Sequence, residues 1–149
     1  MNINFSSFDA TDVDDIYAIE QLAQSHPMTK NVMLSCLSNR YFNARVMVDE
    51  QLAGFYIGEG MLDESSLIEI CIHPDFQGKG LGRKLLAHYI EQGKERGFMS
   101  CWLEVRESNT AAHKLYQSMD FNEVDRRINY YPTNTGKEDA IIMSYFSFG

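Results

Sequence analysis

The sequence predicts a single α/β (α+β) domain over residues 1–149, with a mixed, mostly antiparallel central sheet flanked by helices. Three observations predict it. Periodic segments follow the order strand, two helices, three strands, helix, strand, helix, two strands, so consecutive strands can pair directly while the helices cover the sheet. A glycine-rich turn, Gln77-Gly78-Lys79-Gly80-Leu81-Gly82, separates the β-like run Leu67 to Ile72 from the helix-like run Arg83 to Arg96. The chain is 44% hydrophobic and 23% charged over 149 residues, enough for one core and unlike a disordered segment.

Phe5 to Phe8 reads as a short first strand. Thr11 and Asp14 form a Ser/Thr-x-x-acid start signal, after which Val13, Ile16, Ile19 and Ala23 recur at helical spacing until Pro27. A second short helix starts near Thr29 and buries Met33, Cys36 and Leu37. Arg45 to Val48 and Leu52 to Ile57 form a hairpin through Asp49-Glu50-Gln51. Leu67, Ile68, Ile70 and Ile72 make a strand that Pro74 ends. The helix after the glycine turn carries Leu81, Leu85, Leu86, Tyr89, Ile90 and Gly93 as its apolar stripe and stops at Gly97. Phe98 to Val105 is a strand, and Asn109 caps a helix that buries Ala112, Leu115, Tyr116 and Met119. The runs Val124 to Tyr131 and Ala140 to Tyr145 are the last strands, joined through Thr133-Asn134-Thr135-Gly136.

The formal net charge of −8 argues against direct nucleic-acid binding and suits a cationic partner. No apolar run approaches the ~20 residues of a membrane span. The start Met1-Asn2-Ile3-Asn4 lacks a basic, then apolar, signal segment. Cys36, Cys71 and Cys101 are odd in number and far apart, as expected of reduced thiols in a cytoplasmic protein. Neither they nor the four histidines have metal-ligand spacing, so no metal is expected.

The strand, glycine turn and helix start present main-chain N–H groups and the positive end of a helix dipole, a ready holder for phosphate. The nucleotide P-loop does not fit, because His73 stands where its first glycine would be. The dinucleotide pattern begins at Gly78 and Gly80 but meets Arg83 in place of its third glycine. Glu104 lies about where a ribose-binding acid would, which keeps that rival open beside a purely structural βα turn. Glu104 at a strand end and Tyr116 on the next helix supply a carboxylate and a phenol, the two groups that acyl transfer to an amine needs as base and acid. Each alone also reads as a solvated acid and a core aromatic.

Gln77-x-x-Gly80-x-Gly82 resembles the pyrophosphate turn of the Gcn5-related N-acetyltransferases, which use acetyl-coenzyme A. Trp102-Leu103-Glu104-Val105-Arg106-Glu107-Ser108-Asn109, followed by Ala111-Ala112, Leu115-Tyr116 and Phe121, is similar to the bacterial ribosomal-protein-alanine N-acetyltransferases within that family. Arg127-Ile128-Asn129-Tyr130-Tyr131-Pro132 and Glu138-Asp139-Ala140-Ile141-Ile142-Met143 match the same group, and the similarity runs from about Leu67 to Met143. The resemblance implies transfer of acetyl from acetyl-CoA to the α-amine of an N-terminal alanine on a basic small-subunit ribosomal protein. It makes Glu104 the general base and Tyr116 the general acid. Ile70, Cys71 and Ile72 would pair with the acetyl and pantetheine part of the cofactor, Gln77, Gly78, Lys79, Gly80, Leu81, Gly82 and Arg83 would hold its pyrophosphate, and Asn109 would contact the CoA arm. Lys79, Arg83 and Lys84 would add local positive charge. Cys71 is expected to pack rather than to carry acetyl.

Met28, His73 and Asp120 depart from the family's usual residues, the first near the substrate-facing loop and the last at a helix end where glycine is common. An α-amine, with a pKa near ~7.7 to 8.0, is partly neutral at pH 7, whereas a lysine amine near ~10.4 is almost wholly charged, so the α-amine is the easier acceptor. Two alternatives remain: an enzyme of the same fold that acetylates a small amine or a lysine, and a CoA-binding domain without turnover.

Overall fold

A computed structural model describes residues 1–146, so residues 147–149 of the expected domain lie outside the described residues. The strands are β1 (Ile3–Ser6), β2 (Tyr41–Val48), β3 (Gln51–Met61), β4 (Glu64–Ile72), β5 (Ser100–Arg106), β6 (Asn122–Thr133) and β7 (Gly136–Phe146). The helices are α1 (Val13–Ala23), α2 (Lys30–Ser35), α3 (Leu81–Glu95) and α4 (Thr110–Ser118). All seven strands join one sheet in the order β1-β2-β3-β4-β5-β7-β6, antiparallel throughout except between β4 and β5. The mixed, mostly antiparallel sheet expected from the segment order is the one that forms. No helix among the described residues is long and apolar enough to cross a membrane.

Local chemistry explains most element boundaries, including two that differ from expectation. β1 lies earlier than Phe5 to Phe8, because its register on β2 runs from Ile3↔Val48 to Ser6↔Arg45, and Phe8 instead joins the core under α1. The start signal of α1 is also earlier than Thr11 and Asp14. Asp9 and Asp12 cap each other's main chain around a 3-10 turn, Ala10–Asp12, and the Thr11 hydroxyl is used up donating to Asp9. Thr29 caps α2 by accepting from the Val32 N–H, as its position suggested. In the β2–β3 hairpin Asp49 and Glu50 both have positive φ, 49° and 69°, the pair of values that a two-residue turn matching strand twist requires.

The sheet has a core on each face. α3 packs one side through Leu81, Leu85, Leu86, Tyr89 and Ile90 against Phe42, Val46, Tyr56, Leu103 and Met143. Removing each such side chain from water stabilises the fold by about 1.5–3 kcal/mol. α1 and α2 cover the other side through Val13, Ile16, Ile19 and Met33 against Phe55, Ile57 and Cys71. α3 stops as expected at Gly97, with φ 85°. α4 stops the same way without a glycine. Asp120 adopts φ 70°, its N–H donates to Gln117 O, and the Phe121 N–H donates to Tyr116 O. The Phe121 ring then packs on Tyr116, closing the hydrophobic half of this helix-end motif.

Two irregularities position the site. Ile57 pairs with Glu69 and Gly58 with Leu67, so Ile68 is an extra residue in β4. This bulge resets the alternation: Leu67, Ile70 and Ile72 face the α3 core, while Cys71 faces α1. The β4–β5 ladder spans only Glu64↔Ser100 to Ser66↔Trp102, after which no pairing joins the two strands. Their unpaired stretches border a cleft.

Candidate active site

The cleft has a volume of about 630 Å³ and is lined by both β4 and β5 beyond their short ladder, by the glycine turn, and by the inner face of α4. At one end, Gly78 and Gly80 have φ of 77° and 79°, and a Cβ placed on either would meet nothing within 4 Å. The positive φ rather than crowding asks for glycine here, and the open space lies over the start of α3. Gly80 is the N-cap of that helix and makes no side-chain cap bond, so the first N–H groups of α3 have no side-chain acceptor. Such a cradle fits a pyrophosphate. The Gln77 amide donates to Ile72 O at 3.0 Å and fastens the turn to the end of β4.

Of the residues singled out in the sequence, Ile70, Cys71, Ile72, Gln77, Gly78, Gly80, Leu81, Gly82, Glu104, Asn109 and Tyr116 all line this one cleft. Lys79 and Arg83 do not. The Lys79 ammonium lies over the Phe76 ring at 5.7 Å, and the Arg83 guanidinium donates to Ser118 Oγ at 2.7 Å, tying α3 to α4. Asn109 caps α4 by accepting from the Ala112 N–H, so its side-chain oxygen is already engaged in the helix.

Glu104 projects from β5 and is held from β6. Arg127 Nη2 lies 3.3 Å from one carboxylate oxygen, and the Tyr131 hydroxyl donates to the other at 3.4 Å. Tyr131 is in turn stacked under the Arg106 guanidinium at 4.3 Å. Burial, reinforced by the Glu104 charge, pushes the Tyr131 phenol up to about 12, so it remains a donor at neutral pH. Tyr116 reaches the cleft from α4 and is buried. Burial is the main cause that raises its pKa, so the phenol keeps a proton to give. The Cys71 thiol is likewise driven far upward, first by burial and then by the neighbouring Glu69–Glu20 carboxyl pair. It is no thiolate nucleophile at neutral pH.

The side chains around Glu104 show what spacing alone does not reveal. Arg127 and Tyr131 stand in segments similar to the family, yet nothing in their spacing predicts that their side chains reach Glu104 on β5 across the intervening β7. A second group was also missed: the oxygens of Glu20 and Glu69 and the sulfur of Cys71 gather within 4.8 Å of one another. The signal was present, since each glutamate interrupts an apolar pattern, Glu20 within the Ile16, Ile19 stripe and Glu69 within Leu67 to Ile72. A second groove, lined by Ile68, Trp102, Val124, Asp125 and Arg127 among others, shares Glu104 and Tyr131 with this cleft.

Residues 11–121 match the acetyltransferase (GNAT) family. The chain is 45% identical over 139 residues to the [ribosomal protein bS18]-alanine N-acetyltransferase of Escherichia coli strain K12, covering 93% of this chain and 94% of that protein. It is 42% identical to the Haemophilus influenzae protein of the same name, covering 95% and 97%. The crystal structure of the ribosomal-protein-S18-alanine N-acetyltransferase from Escherichia coli superposes with a TM-score of 0.95 at 43% identity, over 99% of this chain and 96% of that one. With the family pattern covering most of the chain and the relatives aligned nearly end to end, this chain belongs to the GNAT family of acetyltransferases, enzymes whose acyl donor is acetyl-CoA.

Proposed function

We propose that the enzyme acetylates the α-amine of an N-terminal alanine on ribosomal protein bS18, by direct attack on acetyl-CoA within one ternary complex. The observation that carries the reading is the placement of Glu104 and Tyr116 on the same cleft as the glycine turn and the Ile70 to Ile72 main chain. The identity of the relatives supplies the acceptor.

In this reading the turn from Gln77 to Gly82 holds the pyrophosphate, and Ile70 to Ile72 position the thioester beside the amine. Glu104, aimed by Arg127 and Tyr131, accepts the ammonium proton directly or through one water. The neutral nitrogen then forms its bond to the acetyl carbon, the carbon–sulfur bond breaks, and Tyr116 donates its proton to the departing sulfur. The nitrogen, cationic after attack, gives up its second proton to solvent to leave the neutral amide, while Glu104 releases the first. The tyrosinate is reprotonated from solvent. No acetyl-enzyme is needed, which agrees with a protonated, hydrogen-bonded Cys71. The acidic chain, at −8, favours a basic protein as the acceptor, and a ribosomal acceptor places the enzyme in the cytoplasm.

The test is mass spectrometry of peptides incubated with enzyme and acetyl-CoA. A peptide with the bS18 N-terminus should gain one acetyl group on its α-amine. The same peptide with a blocked α-amine should gain none, even where it carries lysines. Comparable acetylation of the blocked peptide would overturn the α-amine reading in favour of a lysine acceptor.

A further inference from the structure

The wall of the cleft formed by α1 and β4 contains two carboxyl groups that the transfer chemistry leaves unused. Glu20 continues the inward stripe of Val13, Ile16 and Ile19 on α1 and is fully buried. Glu69 follows the β4 bulge and borders the cleft. Glu20 accepts the Met28 N–H at 3.0 Å and the Cys71 thiol at 3.4 Å. Glu69 accepts the Ile70 N–H at 3.0 Å and the Gln24 side-chain amide at 2.8 Å. A carboxylate oxygen of each lies within 4.8 Å of the other and of the Cys71 sulfur, and among the described residues no Lys, Arg or His forms an ion pair with either.

Two carboxyl groups this close in a buried wall without a cation do not readily both ionise, so one proton is shared by the pair. Burial first, then the Glu20 charge and the Glu20 hydrogen bond, raise Glu69 well above the ordinary carboxyl range, which places that proton on Glu69. The pair therefore links three parts of the chain: α1 through Glu20, β4 through Glu69, and the segment between α1 and α2 through Gln24 and Met28. That segment lines the cleft with Gln24 and His26.

We propose that Glu20 and Glu69 form a one-proton latch that fixes the 24–29 segment as the acceptor-side wall of the cleft, making Glu69 a positioning residue for the acceptor. The proposal rests on the reading that an amine enters beside this wall. Losing the shared proton leaves two facing carboxylates whose repulsion is strong in a partly buried site, and the segment they hold is released. The titratable and charged groups that line the same cleft are Cys71 on β4, Tyr116 on α4, His26 on the segment itself, Glu104 and Arg106 on β5, the latter paired with Glu138, and Tyr131 on β6. Cys71 and Tyr116 stay protonated at neutral pH and add no charge there, while Glu104 already has Arg127 as its partner.

Glu69→Gln replaces the mobile proton by an amide N–H that can donate to Glu20 at every pH. Glu20→Gln makes the same replacement from the other side, donating to Glu69 and still accepting the Met28 N–H. From about pH 7 to about 9.5, the KM of wild type for a peptide beginning with alanine should rise at least about fivefold relative to either variant. The KM for acetyl-CoA and the kcat ratio should stay level. In the enzyme without acceptor, hydrogen exchange at the Met28 amide should accelerate over the same range beyond its intrinsic base catalysis, and only in wild type. Superimposable KM profiles and equal Met28 exchange in all three proteins would overturn the latch. If wild type does not acetylate the peptide at all, the acceptor reading falls, and the exchange profiles still decide whether the latch exists.

Discussion

At the glycine turn, the cleft is built from main chain along one contiguous stretch, Gln77 to Gly82, whereas the amine end is assembled from side chains that separate elements contribute. Glu104 comes from β5, Arg127 and Tyr131 from β6, Tyr116 from α4, and the wall behind them from α1 and β4. Main-chain donors at a helix start recognise any phosphate that fits, and they need only glycine and the right turn. Side chains from distant elements recognise by position, and each can be altered without moving the others. In the proposed reading, the donor that all family members share belongs to the contiguous end, and the acceptor that distinguishes them to the assembled end.

Breaking the assembled end should give the largest effect. Glu104→Gln keeps an oxygen for the Tyr131 hydroxyl but removes the charge that faces Arg127, so the geometry survives while the proposed base is lost. Turnover should fall by about 10² to 10⁴-fold, with acetyl-CoA affinity unchanged. The deficit should deepen toward pH 6, where more of an α-amine of pKa ~7.7 to 8.0 arrives protonated. Tyr116→Phe should cost less, about tenfold to a hundredfold, because a thiol of pKa near ~8.5 leaves tolerably well as thiolate. Steady-state rates across pH 6 to about 9 check both; wild-type rates in both variants would leave the assembled end with positioning alone.

The same contrast decides how much was legible in the sequence. The glycine turn was readable because its chemistry and its spacing lie in six consecutive residues, and the β4, turn and α3 order around it followed from periodicity and from Pro74 and Gly97. Glu104 and Tyr116 were readable as a carboxylate and a phenol on neighbouring elements, but only the resemblance gave them roles, since their separation says nothing about whether they share a cleft. Arg127 and Tyr131 were not assigned roles at all, because their contact with Glu104 depends on a register irregularity between Arg127 and Tyr131 in β6, where Asn129 takes φ 51°. The bulge at Ile68 was equally hidden. Without it, strict alternation from Leu67 would place Glu69 with Leu67 on the α3 side, away from Glu20. Asp9 displaced Thr11 as the cap for a simpler reason: a carboxylate two residues earlier accepts both the N–H and the hydroxyl of Thr11.

Filling the contiguous end should have an intermediate effect and should act on the other substrate. Gly82 lies on the cleft at the first turn of α3, has no positive φ, and a Cβ there would meet only Leu115 Cδ2 at 3.5 Å, an ordinary contact. Gly82→Val is therefore tolerated by the fold, and within a helix valine is no worse than glycine. Its bulk stands where, in the proposed reading, the pyrophosphate approaches the main chain. Acetyl-CoA affinity measured by calorimetry should drop by about tenfold or more, while the KM for the alanine peptide should stay near wild type. Unchanged acetyl-CoA affinity in a folded variant would remove the turn from the cofactor site.

Salt should separate the two ends most gently. A chain of net charge −8 attracts a basic acceptor over distances comparable to the Debye length, which is about 10 Å at 0.1 M salt and about 3 Å at 1 M. Screening acts on encounter, where the acceptor is still distant, and much less on an amine already beside Glu104. Raising salt from about 0.05 to about 0.5 M should lower kcat/KM for a basic peptide a few-fold and leave kcat nearly constant. A neutral peptide that also begins with alanine should lose almost nothing, because its capture has no charge to screen. Acetyl-CoA is an anion approaching the same acidic chain, so its capture should respond with the opposite sign and improve slightly as salt rises. Equal losses for the basic and neutral peptides would mean that salt acts on the chemistry or the fold, and the acidic surface would then have no part in choosing the acceptor.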